Sequence, residues 1–255
     1  MASPISIQFW TLRTILNAES APEIMQELAK IGLNGVEGVA PGFSNSDFRK
    51  YMADLGMVIS SSFGPTPEPD NLQKIVDDLG ELGTNLLTGG FWIPDLETKD
   101  SIKASAEKLA WAIPELKKHG IEYAMHNHWM EFETRDGIRV IDLMIEHCPD
   151  LRLELDIYWA SNFGEHNSAD ICRQYADRIT LLHVKDGPLV KDQPMVPLGQ
   201  GKVPVRDCIE ACQPKWLVIE LDEYEGDMMH AVRESYQFLM KEKLGLGRVA
   251  VDENP

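Results

Sequence analysis

The sequence predicts a TIM-type (β/α)8 barrel, and three observations carry that expectation. Eight short apolar or β-branched runs recur along the chain, each followed by an amphipathic stretch of helical character. Glycine closes several of those stretches just before the next run, and no glycine-rich nucleotide loop follows the first run. Strict β-then-α alternation without that loop favours a closed parallel barrel over an open doubly wound sheet. The 255 residues match the roughly 250 that one such barrel uses, so a single domain over 1–255 is expected.

The first strand is read at Ile5–Trp10, and Ser20-Ala21-Pro22-Glu23 then opens a helix, with Ser20 able to cap and Pro22 suited to the first turn. The second strand, Gly35–Val39, and the third, Val58–Phe63, follow the glycine stops at Ile31-Gly32 and Leu55-Gly56. Asp70-Asn71-Leu72-Gln73 has capping-box spacing and starts the helix that stops at Leu82-Gly83, before the fourth strand at Asn85–Gly89. Pro114 lies inside the helical pattern Ser101–Lys118 and should kink or split it. His119-Gly120 then precedes the fifth strand, Glu122–His126, and the last three are read at Leu151–Asp156, Ile179–Lys185 and Trp216–Leu221. The tail after Leu244 is expected to be loosely packed and partly disordered.

With 41 acidic against 24 basic residues the formal charge is -17, a surface that repels nucleic-acid phosphates and anionic lipid. Nucleic acid is therefore not an expected partner. The four cysteines, Cys148, Cys172, Cys208 and Cys212, form no CxxC pair and read as reduced, mostly buried thiols. The start, Met1-Ala2-Ser3-Pro4, has no basic leader, and no run of about 18 apolar residues occurs, so a cytoplasmic protein without a membrane partner is expected. Barrels of this type often pair, which keeps a homo-oligomer open, although no interface stripe is legible.

In such barrels chemistry is built at the C-terminal ends of the strands. Four consecutive strands end there in titratable groups: His126-Asn127-His128, Glu154-Leu155-Asp156, His183-Val184-Lys185-Asp186 and Glu220-Leu221-Asp222. Alternation puts His126 with His128, Glu154 with Asp156, His183 with Lys185, and Glu220 with Asp222 on the inner face, while Met125, Leu155, Val184 and Leu221 face the helices. So many like charges at one mouth call for a cation, and a mixed nitrogen and oxygen donor set suits Mn, Mg, Zn or Co as divalent ions.

With these motifs, together with Gly35-Val36-Glu37, Glu131-Phe132, Ile157-Tyr158-Trp159 and Leu198-Gly199-Gln200-Gly201, the chain resembles the xylose-isomerase-like sugar phosphate isomerase/epimerase superfamily over nearly its whole length. The resemblance implies a divalent metal held by one residue from each of strands five to eight, in the order Glu, Asp, His, Glu. Asp156, His183 and Glu220 match; the strand-five place falls to His126, with His128 or Glu131 as substitutes. This departure is similar to a subgroup with a Tyr-His-Asn-His strand five, although Met125 stands in the tyrosine place.

Many relatives place substrate-touching histidines after strands three and six, where this chain has Phe63 and Trp159; these, with Trp10, are read as aromatic sugar-binding residues or as packing. The implied reaction on a sugar or polyol is proton abstraction next to a carbonyl through a metal-stabilised enediolate, giving an isomerase or epimerase. Candidates for acid, base or positioning roles are Glu131, His128, Lys185 and Glu37. Lys185 is read either as a fixed cation binding substrate or as an ion-pair partner of Asp186 or Glu154, and Glu37 either as catalytic or as a structural partner. Expulsion of a β-substituent would instead make the enzyme a lyase on 3-keto-glycosides or inosose-like polyols. A non-catalytic sugar-binding barrel is a further alternative. A nuclease-like relative is disfavoured by the seven histidines and the acidic charge. Gly199-Gln200-Gly201 is a weak candidate for a phosphate loop, and no arginine cluster accompanies it.

Overall fold

Eight short parallel strands curl into the predicted barrel: β1 Ser3–Ile7, β2 Gly35–Glu37, β3 Val58–Phe63, β4 Leu86–Gly89, β5 Glu122–His126, β6 Arg152–Asp156, β7 Ile179–Val184 and β8 Trp216–Ile219. The computed structural model describes residues 2–248. The strands pair in the order β1-β8-β7-β6-β5-β4-β3-β2. The seam between β1 and β2 closes through a parallel bridge of Gln8 with Glu37 and through Asn34, whose amide donates to Ile5 O at 2.8 Å while its side chain accepts from Ile5 N at 3.0 Å. Among the described residues eight α-helices wrap the outside: α1 Ala21–Ile31, α2 Asn45–Asp54, α3 Leu72–Leu82, α4 Lys99–Lys118, α5 Val140–His147, α6 Ser168–Gln174, α7 Val205–Ala211 and α8 Met228–Lys241.

Several local expectations are corrected. β1 stops at Ile7 because the Gln8 side-chain Oε1 accepts from Trp10 N at 3.1 Å and turns Phe9–Leu12 into a 3-10 turn, so Trp10 stands on that turn and not on the strand. α4 passes through Pro114 unbroken; Pro114 and Ala110, whose carbonyl loses its helical partner, both lie on the exposed side where water can replace the bond. Ser20 does not cap α1, since its hydroxyl donates to Ile15 O at 2.7 Å, and the Asn71 side chain serves the preceding turn by accepting from Glu68 N at 2.8 Å. Beyond Leu244 the chain stays ordered for a further step: Gly245 and Leu246 pair in parallel with Ser3 and Pro4. Residues 249–255 lie outside the described residues.

The core has two parts. Met125, Leu155, Val184 and Leu221 sit in the shell between strands and helices, as alternation requires. Inside the cylinder Leu86, Ala124, Leu181 and Val218 form a separate apolar layer. Ala124, Leu181 and Val218 each lie two residues before His126, His183 and Glu220, so this layer is the floor on which the titratable groups stand.

Candidate metal centre

The strand ends converge as alternation predicts. One ligand atom from each of His126, Asp156, His183 and Glu220 lies within 4.8 Å of the others, and all four residues are buried. The geometry of Asp156 is fixed twice: its Oδ1 accepts from Tyr158 N at 2.9 Å and Trp159 N at 3.0 Å, and its backbone N donates to Asn127 Oδ1 at 2.9 Å. Asn127, between the two histidines, thus clamps the end of β5 to the end of β6. His183 Nδ1 lies 2.7 Å from Glu220 Oε2, and its Nε2 lies 3.2 Å from both Glu37 Oε1 and Glu154 Oε1. Glu37 in turn accepts from Ser61 Oγ at 2.6 Å and from the Gln8 side-chain amide.

Lys185 is buried among carboxylates, 2.9 Å from Asp156 Oδ2, 2.8 Å from Glu220 Oε2 and 2.7 Å from Asp222 Oδ2. These partners replace the Asp186 or Glu154 pairing read from sequence. Asp186 is engaged elsewhere: its two oxygens accept from Gly187 N, Gly199 N, Gly201 N and Val203 N at 2.8 to 3.0 Å. The two glycine amides of the weak phosphate-loop candidate are therefore already satisfied by a carboxylate of the chain itself, and Gln200 N donates to Pro197 O.

Burial and neighbouring charge set the protonation states. Burial opposes charge on Lys185 and His183, yet the surrounding carboxylates hold both well above their usual ranges. Glu220 meets the same burial, and Lys185 and His183 hold it well below the carboxylate range. Burial, with Glu37 next to it, pushes Glu154 well above that range. Burial also raises Asp156 to about 6 and Glu131 to about 8. The cluster's other two histidines are held neutral by burial: His126 falls well below its ordinary value and His128 to about 4, the cation of Lys185 adding to the second shift.

These residues fit a divalent cation. His126 is neutral, as a ligand must be, and its buried Nδ1 makes no hydrogen bond. Carboxylates also outnumber the cationic side chains in the pocket: without a metal, Lys185 and a protonated His183 face Glu37, Asp156, Glu220 and Asp222, and a divalent cation would take the place of the His183 proton.

A cavity of about 230 Å³ opens above this cluster, lined by Gln8, Trp10, Phe63, His126, His128, His183, Glu220 and Asp222. Trp10 and Phe63, 55% and 50% exposed, stand at its mouth, and the Arg13 guanidinium lies over the Trp10 ring at 4.6 Å from its centre. A second cavity of about 280 Å³ adjoins it, sharing Trp10 and Asp222 and walled by Trp129, Trp159 and Phe163. A larger hollow of about 530 Å³ lies at the opposite end of the barrel around Glu122 and Arg152, away from these groups.

Among the sequence candidates, His126, His128, His183, Glu220, Trp10 and Phe63 meet at the first cavity, and Trp159 lines the second. Asp156, Lys185 and Glu37 lie buried beneath, outside its lining. Glu131 is fully buried, off the cavity, and accepts from His128 N at 2.9 Å through Oε2. Gln8, Asn127 and Trp129 were not singled out from sequence. Alternation from the buried Ile5 and Ile7 would have placed Gln8 inward, whereas Trp129 sits on a loop with no periodic signal. Among the described residues no helix is long and apolar enough to cross a membrane.

Comparison with solved structures finds the same fold. A sugar phosphate isomerase/epimerase from Parabacteroides distasonis superposes with TM-score 0.76 at 22% identity over 96% of both chains. An L-ribulose 3-epimerase gives 0.68 at 17% identity over 99% of this chain and 100% of its own. The probable 3-DHS dehydratase of petrobactin synthesis from Bacillus anthracis gives 0.73 at 12% identity over 93% and 98%. A sequence comparison with curated proteins finds no match. The family model described as xylose isomerase-like TIM barrel matches residues 25–242, most of the barrel whose strand ends carry the cluster above, and the chain accordingly belongs to the xylose isomerase-like TIM barrel family.

Proposed function

We propose that the chain is a metal-dependent sugar isomerase or epimerase in which His126, Asp156, His183 and Glu220 hold one divalent cation, Mn, Mg, Zn or Co. The observation that carries this reading is the convergence of those four ligand atoms within 4.8 Å beneath a cavity at the strand ends. A cation bound there supplies charge stabilisation to a carbonyl and an adjacent hydroxyl oxygen of the substrate.

The remaining roles belong to the chain. Glu37 and Glu154 hold the far nitrogen of His183 and so orient its ring, as partners of metal-ligating imidazoles commonly do. His128, neutral and on the cavity wall, is the group best placed to take up and return a carbon-bound proton, and Glu131 fixes the backbone from which it projects. Lys185 balances the charge of Asp156 and Glu220 and holds Asp222. Gln8 and Asp222 offer hydrogen bonds to hydroxyls, while Trp10 and Phe63 present faces to the C–H side of a sugar ring.

Elimination is the second reading. It is favoured by the adjoining cavity, which provides room for a departing substituent, and by the dehydratase among the similar structures.

The test is metal analysis of the purified protein, followed by NMR in D2O with a panel of ketohexoses, ketopentoses and 3-keto-glucosides. Metal at one equivalent with solvent deuterium entering next to the carbonyl is the expected result, and His128→Gln should abolish that exchange while retaining metal. Exchange that persists in metal-free protein would overturn the reading. Loss of a β-substituent in place of exchange would select elimination.

A further inference from the structure

The two ring nitrogens of His128 have unlike surroundings. Nδ1 is buried without a hydrogen-bond partner among the described residues, whereas Nε2 is not enclosed, on a side chain that lines the strand-end cavity. Aromatic rings stand around the imidazole: Trp92 at 4.9 Å between ring centres and 88° between planes, His126 at 5.0 Å and 88°, Trp129 at 6.3 Å and 83°, and Trp159 at 6.4 Å and 42°. Trp92 is the nearest of these, and it lines neither of the two strand-end cavities.

We infer that Trp92 is a positioning residue that fixes the tautomer of His128: the indole face takes the Nδ1–H, and Nε2 keeps its lone pair turned to the cavity. This assignment rests on the proposed role of His128 and deepens it, since a neutral imidazole acts as a base only through the nitrogen that carries no proton. A carboxylate or carbonyl usually holds the second nitrogen of such a histidine, and here Nδ1 meets neither. The face of an indole is its electron-rich side, so a perpendicular ring edge meets it better through N–H than through a lone pair. The opposite tautomer would leave a bare acceptor buried among aromatic rings. In turnover Nε2 takes the carbon-bound proton while the C–H electron pair stays with the substrate as an enediolate, and return of the proton to a neighbouring carbon or the other face restores the base. Nδ1–H stays on Trp92 throughout, and the transient imidazolium meets an aromatic face suited to a cation.

The loop after β4 is built to bring Trp92 to this place. Gly89 and Gly90 let it run close against its neighbours, since a Cβ at Gly90 would press on the His126 carbonyl oxygen and one at Gly89 on that of Gly64. Phe91 and Leu96 are buried on either side of the exposed Trp92 and Ile93. Trp92 N donates to Asp95 Oδ2 at 3.2 Å, and Ser105 Oγ donates to Asp95 O at 3.1 Å. The backbone of His128 is held in turn by Glu131. Indole and imidazole thus come from the ends of two adjacent strands, each fixed by a carboxylate three residues further on.

The experiment is a long-range proton–nitrogen NMR correlation on Zn²⁺-loaded protein carrying isotope-labelled histidine, with His128 assigned by its loss in His128→Gln. The expected spectrum has a pyrrole-type Nδ1 and a pyridine-type Nε2 for His128, with nuclear Overhauser contacts from the Nδ1 proton to the Trp92 ring. Trp92→Leu should move His128 towards the Nε2–H tautomer that free histidine favours, and Trp92→Phe, which restores an aromatic face, should hold the parent form. On a ketose that exchanges deuterium, Trp92→Leu should lose about fivefold in kcat, in proportion to the fraction of base-competent tautomer, with KM within about twofold of the parent. Trp92→Phe should recover most of that loss. A parent His128 protonated on Nε2, or on both nitrogens, overturns the inference, as does a parent without the contact to Trp92 or a Trp92→Leu spectrum unchanged from it. The parent spectrum decides even where a variant fails to fold. The expected tautomer with no deuterium exchange on any ketose overturns the proposed function alone, and exchange with the opposite tautomer overturns this inference alone.

Discussion

His183 Nδ1 lies 2.7 Å from Glu220 Oε2, and this contact joins the ends of two adjacent strands across the charged floor of the barrel. With Asp156 and His126 it makes a set of donors that no one strand could supply. Glu220→Gln and Asp156→Asn are each expected to lower bound metal to a small fraction of one equivalent and activity by at least about a hundredfold. Elemental analysis and initial rates on the same preparations check this, and full activity in both variants would remove the ligand assignment.

Lys185 is the only lysine or arginine paired with a side-chain carboxylate of Asp156, Glu220 or Asp222 among the described residues. Lys185→Met should destabilise the metal-free protein by about 3–5 kcal/mol, because buried carboxylates lose their partner. Added Mn²⁺ should restore part of that loss. Urea unfolding with and without metal measures both, and an unchanged midpoint without metal would show that the ammonium contributes nothing to the balance.

Glu131 titrates near 8 when folded against an ordinary value of 4.5, because burial favours its neutral form. The folded state therefore binds the extra proton between those values, and stability falls as pH rises through that window, by up to about 1.4 kcal/mol per pH unit. Below pH 4.5 the protonated acid costs nothing. Glu131→Gln should therefore match the parent near pH 4.5 and exceed its stability increasingly up to pH 8. Parallel stability curves for parent and variant would contradict this.

Asp186 accepts four backbone amides and so closes the loop from Gly187 to Val203. Asp186→Asn keeps one accepting oxygen and should accelerate hydrogen exchange at about half of these amides, with a stability loss of about 2–3 kcal/mol. Gly201→Ala should do similar harm, since a Cβ there would clash with Asp186 Oδ1 and with the backbone nitrogen of Gly187. Exchange protection that is the same in parent and variants would make the carboxylate dispensable.

The parts of this fold that sequence made legible are those governed by period. Two-residue alternation at the ends of β5 to β8 sorted His126, Asp156, His183 and Glu220 from Met125, Leu155, Val184 and Leu221, and the structure keeps the two sets on opposite faces. Glycine stops were legible for a local reason too: Gly32, Gly56, Gly83 and Gly120 all have positive φ. What escaped depends on partners distant in sequence. The Lys185 contacts reach to Asp156 and Asp222, and the Gln8 side chain bends β1 into a turn that no propensity signals. The walls of the second cavity come from separate loops around Trp129, Phe163 and Val190, whose meeting is a property of the barrel and not of any segment.

The cylinder is joined end to end at Gln8 and Glu37, and the carboxylate at that join also faces the imidazole of His183. One residue is thus both hasp and ligand support. Peeling the first stave away would release the ring that steadies the ion, and filling the centre would tighten the lock on the chain's own beginning.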